Sequence, residues 1–173
     1  QYLNPSNQPF TPKNFQNKIN DIIFKIQAGE IKEGDQLFLS HLGHGGNQDL
    51  YKTHFVQAIP DPVENEKDPA INFVTLDALM PLFELASAHK IKLAFLDSSC
   101  WSGMSQYLAK AYPGTCVISS TSSNNLSYSE FIKNFYQRME KGKNLEEVFL
   151  EARKATLMPA LPMISSGKMA NEM

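Results

Sequence analysis

Long apolar runs are missing from this chain. No stretch approaches the roughly 20 residues that a bilayer-spanning helix needs, so no membrane span is expected. Cysteine is scarce as well: two, Cys100 and Cys116, in 173 residues are too few for a disulfide scaffold and leave either redox compartment open. A surplus of either charge is also lacking. Sixteen basic residues against 18 acidic ones give a formal net charge of -2, which removes any general electrostatic reason to bind nucleic acid or an anionic lipid surface. There is no internal repeat and no signal peptide. The first residue is Gln1 rather than Met, so removal of a leader or of a longer N-terminal region is an expectation, and localisation (secreted, periplasmic or cytoplasmic) stays open.

What is present is an ordinary globular composition. With 42% hydrophobic and 20% charged residues, the chain can fill a core and does not read as disordered. Its length suits one domain over 1–173, with an extended lead-in over 1–13 and an irregular tail over 157–173. From Asn14, the residues Phe15, Ile19, Ile22, Ile23 and Ile26 recur at helical spacing, and Gly29 stands where the helix would stop. A turn at Gly34 and Asp35 leads into a short strand over 36–40, QLFLS, followed by HLGHGG. Residues 52–59 alternate as a second strand, and 60–70, PDPVENEKDPA, form a charged, proline-punctuated surface loop. Thr75 or Asp77 can cap a helix running to about His89, with Leu76, Leu79, Met80, Phe83 and Ala86 on one face. Another helix follows over about 102–112, then a strand over 115–119 and a polar loop, SSTSSNN, over 119–125. Phe131, Ile132, Phe135, Tyr136 and Met139 mark one further helix, Leu145, Val148, Phe149 and Ala152 another, and Met163 with Ile164 suits a short edge strand. Strands alternating with helices imply an α/β fold whose largely parallel sheet is covered on both faces.

The chemistry centres on residues 92–103, KLAFLDSSCWSG. An apolar strand ends in Asp97, small hydroxyl residues surround Cys100, and Gly103 opens a helical pattern. The C-terminal lip of a buried strand is where α/β sheets expose their functional groups. A free cysteine is more often simply buried. What favours a working thiol is the segment Gly43, His44, Gly45, Gly46, which follows its strand as Cys100 follows LAFLD. If the two strands are parallel neighbours, His44 and Cys100 leave the sheet at one edge, one or two strand spacings of ~5 Å apart. A thiol needs a base to become a nucleophile near neutral pH, and imidazole is matched to that task. The backbone N–H groups of Gly45 and Cys100 could then face a developing oxyanion.

An apolar strand ending in His-Gly, then another ending in a small residue and Cys with Ser-Gly just after, resembles the clan of cysteine peptidases that holds caspases, legumains, metacaspases, clostripain and gingipains. Asp35 before the histidine strand, FVTLDAL before the next helix and VISSTSS after the following strand agree with it. The likeness covers roughly residues 15–155. It implies a three-layer, caspase-haemoglobinase-like α/β sandwich and a cysteine endopeptidase working through a thioester acyl-enzyme. In that reading Cys100 is the nucleophile, His44 the general base or proton donor, and Gly45 with Cys100 the oxyanion hole. Asp97, Ser98, Ser119, Ser120, Thr121 and Ser122 would bind a peptide or protein substrate, with preference for one P1 residue. Two departures stand out. Ser98 occupies the place where such relatives often carry an acidic residue or Gln; Asp97 lies one position further back, and a shifted turn would let it favour Arg or Lys at P1. The initial strand and helix of the family domain are also absent, so self-processing or a missing companion segment is an expectation.

The remaining candidates have plainer readings. His41 with Asp97 could form part of a metal site, but the spacing is weak support and no metal is assigned. No cofactor is required; calcium enters only as an activator that the acidic loop 60–70 could bind. His54 and His89 read as structural or solvent-facing, Cys116 as core, and Trp101 as a wall of the cleft or a cover of the core. Ser99 and Ser102 lack the glycine spacing of a serine nucleophile elbow. The alternative to an enzyme is a catalytically silent domain that binds peptide or a partner protein in the same cleft.

Overall fold

The computed structural model describes residues 11–48, 53–57, 73–123, 125–127, 129–139, 143–157, 161–165 and 173. The charged loop 60–70, and with it the calcium expectation, lies outside them. Helix α1, Pro12–Gln27, starts two residues before the periodic pattern: the Thr11 hydroxyl accepts a hydrogen bond from the Asn14 N–H at 3.1 Å, and proline occupies the first turn, where its missing N–H costs nothing. Ile19, Ile22 and Ile26 form its buried stripe. Gly29 follows at φ 74°, a left-handed conformation that glycine adopts without strain and that ends the helix.

Four strands make the main sheet: β1 (Gln36–Leu42), β5 (Lys92–Ser98), β6 (Thr115–Ser119) and β7 (Met163–Ile164), in the order β1-β5-β6-β7. The first three are mutually parallel and β7 is antiparallel to β6. Alternation along β5 sends side chains to two cores. Leu93 and Phe95 join Ile19, Ile22 and Ile26 of α1, Leu82 and Phe83 of α2 (Met80–Ala88), and Leu108 of α3 (Gln106–Ala111). Ala94 and Leu96 join Phe131 and Phe135 of α4 (Ser129–Arg138) with Val148 and Phe149 of α5 (Leu145–Ala155). Each fully buried phenylalanine contributes about 2 kcal/mol. The described residues form a mixed α/β fold with a mostly parallel four-stranded sheet and five α-helices, an arrangement compatible with a three-layer sandwich. None of the described helices is long and apolar enough to cross a membrane.

Two features depart from the sequence reading. A second sheet, entirely antiparallel, is built from β2 (Gly45–Gln48), β3 (Thr53–Gln57) and β4 (Phe73–Thr75). The glycine-rich segment after His44, to which the sequence reading assigned no element, is thus its first strand. The helix expected from Thr75 or Asp77 begins instead as a 3-10 turn over Leu76–Leu79, because Pro81 is tolerated only in the first turn of the α-helix that follows. Neither residue caps it by side chain as expected: Thr75 makes no such bond, and the Asp77 carboxylate accepts the Tyr107 hydroxyl at 2.6 Å, tying α3 to this turn.

Candidate functional site

Leu42 of β1 lies opposite Ser98 of β5 in parallel register. Beyond that last pair both chains leave the sheet at the same edge, so His44 and Cys100 each stand two residues past it. Cys100 is half-buried and His44 exposed. The two segments are in direct contact through the residue after His44. A methyl group placed on the Gly45 α-carbon would lie 2.5 Å from Ser99 Oγ, 2.7 Å from Ser99 Cβ and 2.8 Å from the Cys100 carbonyl oxygen. Only a glycine lets the backbones approach this closely.

The turn that carries Cys100 is held in an unusual shape. Trp101 adopts φ 57°, ψ 19°, a left-handed conformation that costs a bulky L-residue roughly 1–2 kcal/mol. Its N–H donates to the Asn125 carbonyl at 2.9 Å, and the Ser102 N–H donates to the Ser99 carbonyl at 3.3 Å. The serine-rich segment after β6 closes over the same turn. The Ser127 N–H donates to Cys100 Sγ at 3.5 Å, within reach for a sulfur acceptor. The Ser120 and Ser127 hydroxyls share a hydrogen bond of 2.5 Å, Ser102 Oγ lies 3.3 Å from Ser120 Oγ, and the Thr121 N–H donates to Ser102 Oγ at 3.2 Å. Gly103 completes the seat, its α-carbon resting against the backbone of Ser122 and Ser123.

These contacts decide where the expected substrate-binding residues sit. Asp97, Ser119, Ser120 and Thr121 have no exposure and Ser98 only 3%; of that set, Ser122 alone is half-buried. Asp97 does not face an open pocket. Its Oδ1 accepts the Ser99 hydroxyl at 2.6 Å and lies 3.7 Å from His41 Nδ1, across the register pair that joins β1 to β5. The Ser98 and Thr121 hydroxyls are buried without a hydrogen-bond partner among the described residues. The His41 and Asp97 pair gains no third ligand: among the described residues no group of three or more His, Cys, Asp or Glu could hold a metal.

Sequence reasoning missed Ser99 as a partner of Asp97, and missed Ser127. The signal for both was the density of short hydroxyl side chains in DSSCWS and SSTSSNN. Such residues take up local hydrogen bonds and shape turns.

Cys116 sits in β6 at 1% exposure, as a core residue should. Burial raises its thiol from 9.0 to about 11, against a smaller lowering by the Ser165 hydroxyl. Because the folded state holds this proton more tightly than the unfolded chain, its contribution is complete below pH 9 and is lost as pH rises to about 11. The loss is about 3 kcal/mol. Urea unfolding of Cys116→Ala across this range should show a shallower alkaline decline than the parent by about one proton. Parallel declines in the two proteins would contradict the assignment.

Among solved structures, the chain is similar to the crystal structure of protein GSU0716 from Geobacter sulfurreducens, a structural-genomics target. The two share a TM-score of 0.54 and 15% sequence identity, over 91% of this chain and 74% of that one. Likeness at that identity concerns the fold alone. No protein-family model and no curated protein sequence matches the chain.

Proposed function

We propose that this chain is a cysteine endopeptidase with a caspase-like fold, of the clan its strand-end motifs resemble. The observation that carries the reading is the in-register departure of His44 and Cys100 from adjacent parallel strands at one edge of the sheet. The Cys100 thiol passes its proton to the His44 imidazole and attacks the scissile carbonyl. The amine leaves with that proton and a thioester remains. Water, deprotonated by His44, then releases the acid. Gly45 and Cys100 supply the N–H groups for the oxyanion. The half-buried, accessible state of Cys100, the strained Trp101 beside it and the glycine contact between the two segments all support this arrangement.

The second reading, a silent domain that binds peptide or a partner protein, is favoured by one observation: most of the expected lining residues are covered. A panel of fluorogenic peptides with Arg, Lys, Asn or Asp at P1 separates the two, since only the enzyme cleaves one member in preference to the rest. A thiol-reactive peptide electrophile should also label Cys100 well before Cys116, whose thiol is buried and raised to about 11. Equal labelling of both cysteines counts against the enzyme.

A further inference from the structure

A carboxylate with no exposure is expensive to bury unless hydrogen bonds and charge partners compensate it. Asp97 is such a group, and its partners lie on three separate segments around Cys100. Its carboxylate accepts the hydroxyl of Ser99, the residue before Cys100, at 2.6 Å. The same oxygen lies 3.7 Å from Nδ1 of His41, three residues before His44. Its backbone carbonyl accepts the Ser120 N–H at 3.0 Å. Ser99 in turn is the side chain against which Gly45 packs. Asp97 therefore hydrogen-bonds the cysteine turn through Oδ1 and the serine-rich segment through its backbone carbonyl, and it lies against the end of β1 at His41.

We infer that Asp97 and Ser99 form a positioning pair that sets the Cys100 sulfur relative to the His44 segment. Asp97 acts through Ser99 and touches no substrate; the role builds on the peptidase reading above. The geometry accounts for what the sequence left unexplained, a carboxylate placed too far back to read P1. It is held inside the sheet edge as the fixed point from which the turn is hung. A short, fully buried hydrogen bond in the low-dielectric interior holds its donor more firmly than one at the surface. A displacement of about 1 Å at the reacting atom can cost a hundredfold in rate.

The test uses the full chain and two readouts: peptide turnover, and the rate at which iodoacetamide alkylates Cys100, followed by mass spectrometry of the modified peptide. Ser99→Ala and Asp97→Leu should each slow alkylation of Cys100 about tenfold and lower kcat more than tenfold, while KM stays within about twofold. Asp97→Asn, which still accepts the Ser99 hydroxyl, should keep both rates within about threefold of the parent. The double variant should be no slower than the worse single one, as for two residues acting as a unit. If Asp97→Leu fails to fold, Ser99→Ala, which removes a single oxygen, still decides the matter. Parental alkylation and kcat in Ser99→Ala would overturn the pair, as would a change confined to KM. Should the parent cleave no peptide at all, the peptidase reading fails, and the alkylation series still tests the positioning pair on its own.

Discussion

Cys100→Ala should abolish peptide hydrolysis, and His44→Ala should reduce kcat/KM by about ten-thousand-fold, the scale seen when one member of a nucleophile and base pair is removed. Neither change should unfold the protein. Cys100 is half-buried and its sulfur accepts one long hydrogen bond from the Ser127 N–H, so removing it costs about 1 kcal/mol. His44 is exposed, and surface substitutions of this kind stay within about 0.5 kcal/mol. The double variant should be no less active than Cys100→Ala, because the imidazole has nothing to deprotonate once the thiol is gone. The measurements are kcat/KM on the best peptide of the panel and thermal unfolding of each variant. Retention of full activity in either single variant removes that residue from the mechanism.

The parts of this fold legible in the sequence are those whose signal is local. The apolar run of β5 and the strand over Thr115–Ser119 stand where the sequence puts them, as does the two-residue edge strand Met163–Ile164. Helices α4 and α5 follow from apolar spacing alone, and α5 has its start fixed by a capping box between Asn144 and Glu147. Of the antiparallel sheet only β3 was legible, inside the strand expected over 52–59. Glycine and asparagine in Gly45–Gln48 favour turns, and only antiparallel pairing with the following strand β3 makes that segment a strand. The site divides in the same way. The shared edge of His44 and Cys100 follows from two strand ends and parallel pairing, both inferable from pattern. The burial of Asp97 does not, because alternation along a strand says which face a side chain takes but not what covers that face. The seating of the serine-rich segment on the cysteine turn depends on hydrogen bonds among hydroxyls whose directions no spacing rule encodes.

Gly45→Ala should be strongly damaging to both stability and turnover. The added methyl would meet Ser99 Oγ, Ser99 Cβ and the Cys100 carbonyl oxygen at 2.5, 2.7 and 2.8 Å, all inside contact distance, so something has to move. The Ser99 side chain cannot easily turn away, since it is fully buried and its hydroxyl is committed to Asp97 at 2.6 Å. The carbonyl belongs to Cys100 itself, and pushing it back displaces the residue that carries the sulfur. Overpacking of this kind costs about 1–3 kcal/mol, and the displacement should lower kcat/KM about a hundredfold. Gly43→Ala is the matched control, two residues away. There the added methyl would meet only the His41 ring, with Nε2 at 3.1 Å, and a half-buried imidazole can give by a few tenths of an ångström. That variant should lose less than about 1 kcal/mol and keep most of its activity. Urea unfolding and peptide turnover of the pair measure both effects. If Gly45→Ala behaves like Gly43→Ala in both, the backbone of the histidine segment does not press on the cysteine turn, and the contact that joins the two halves of the site is lost with it.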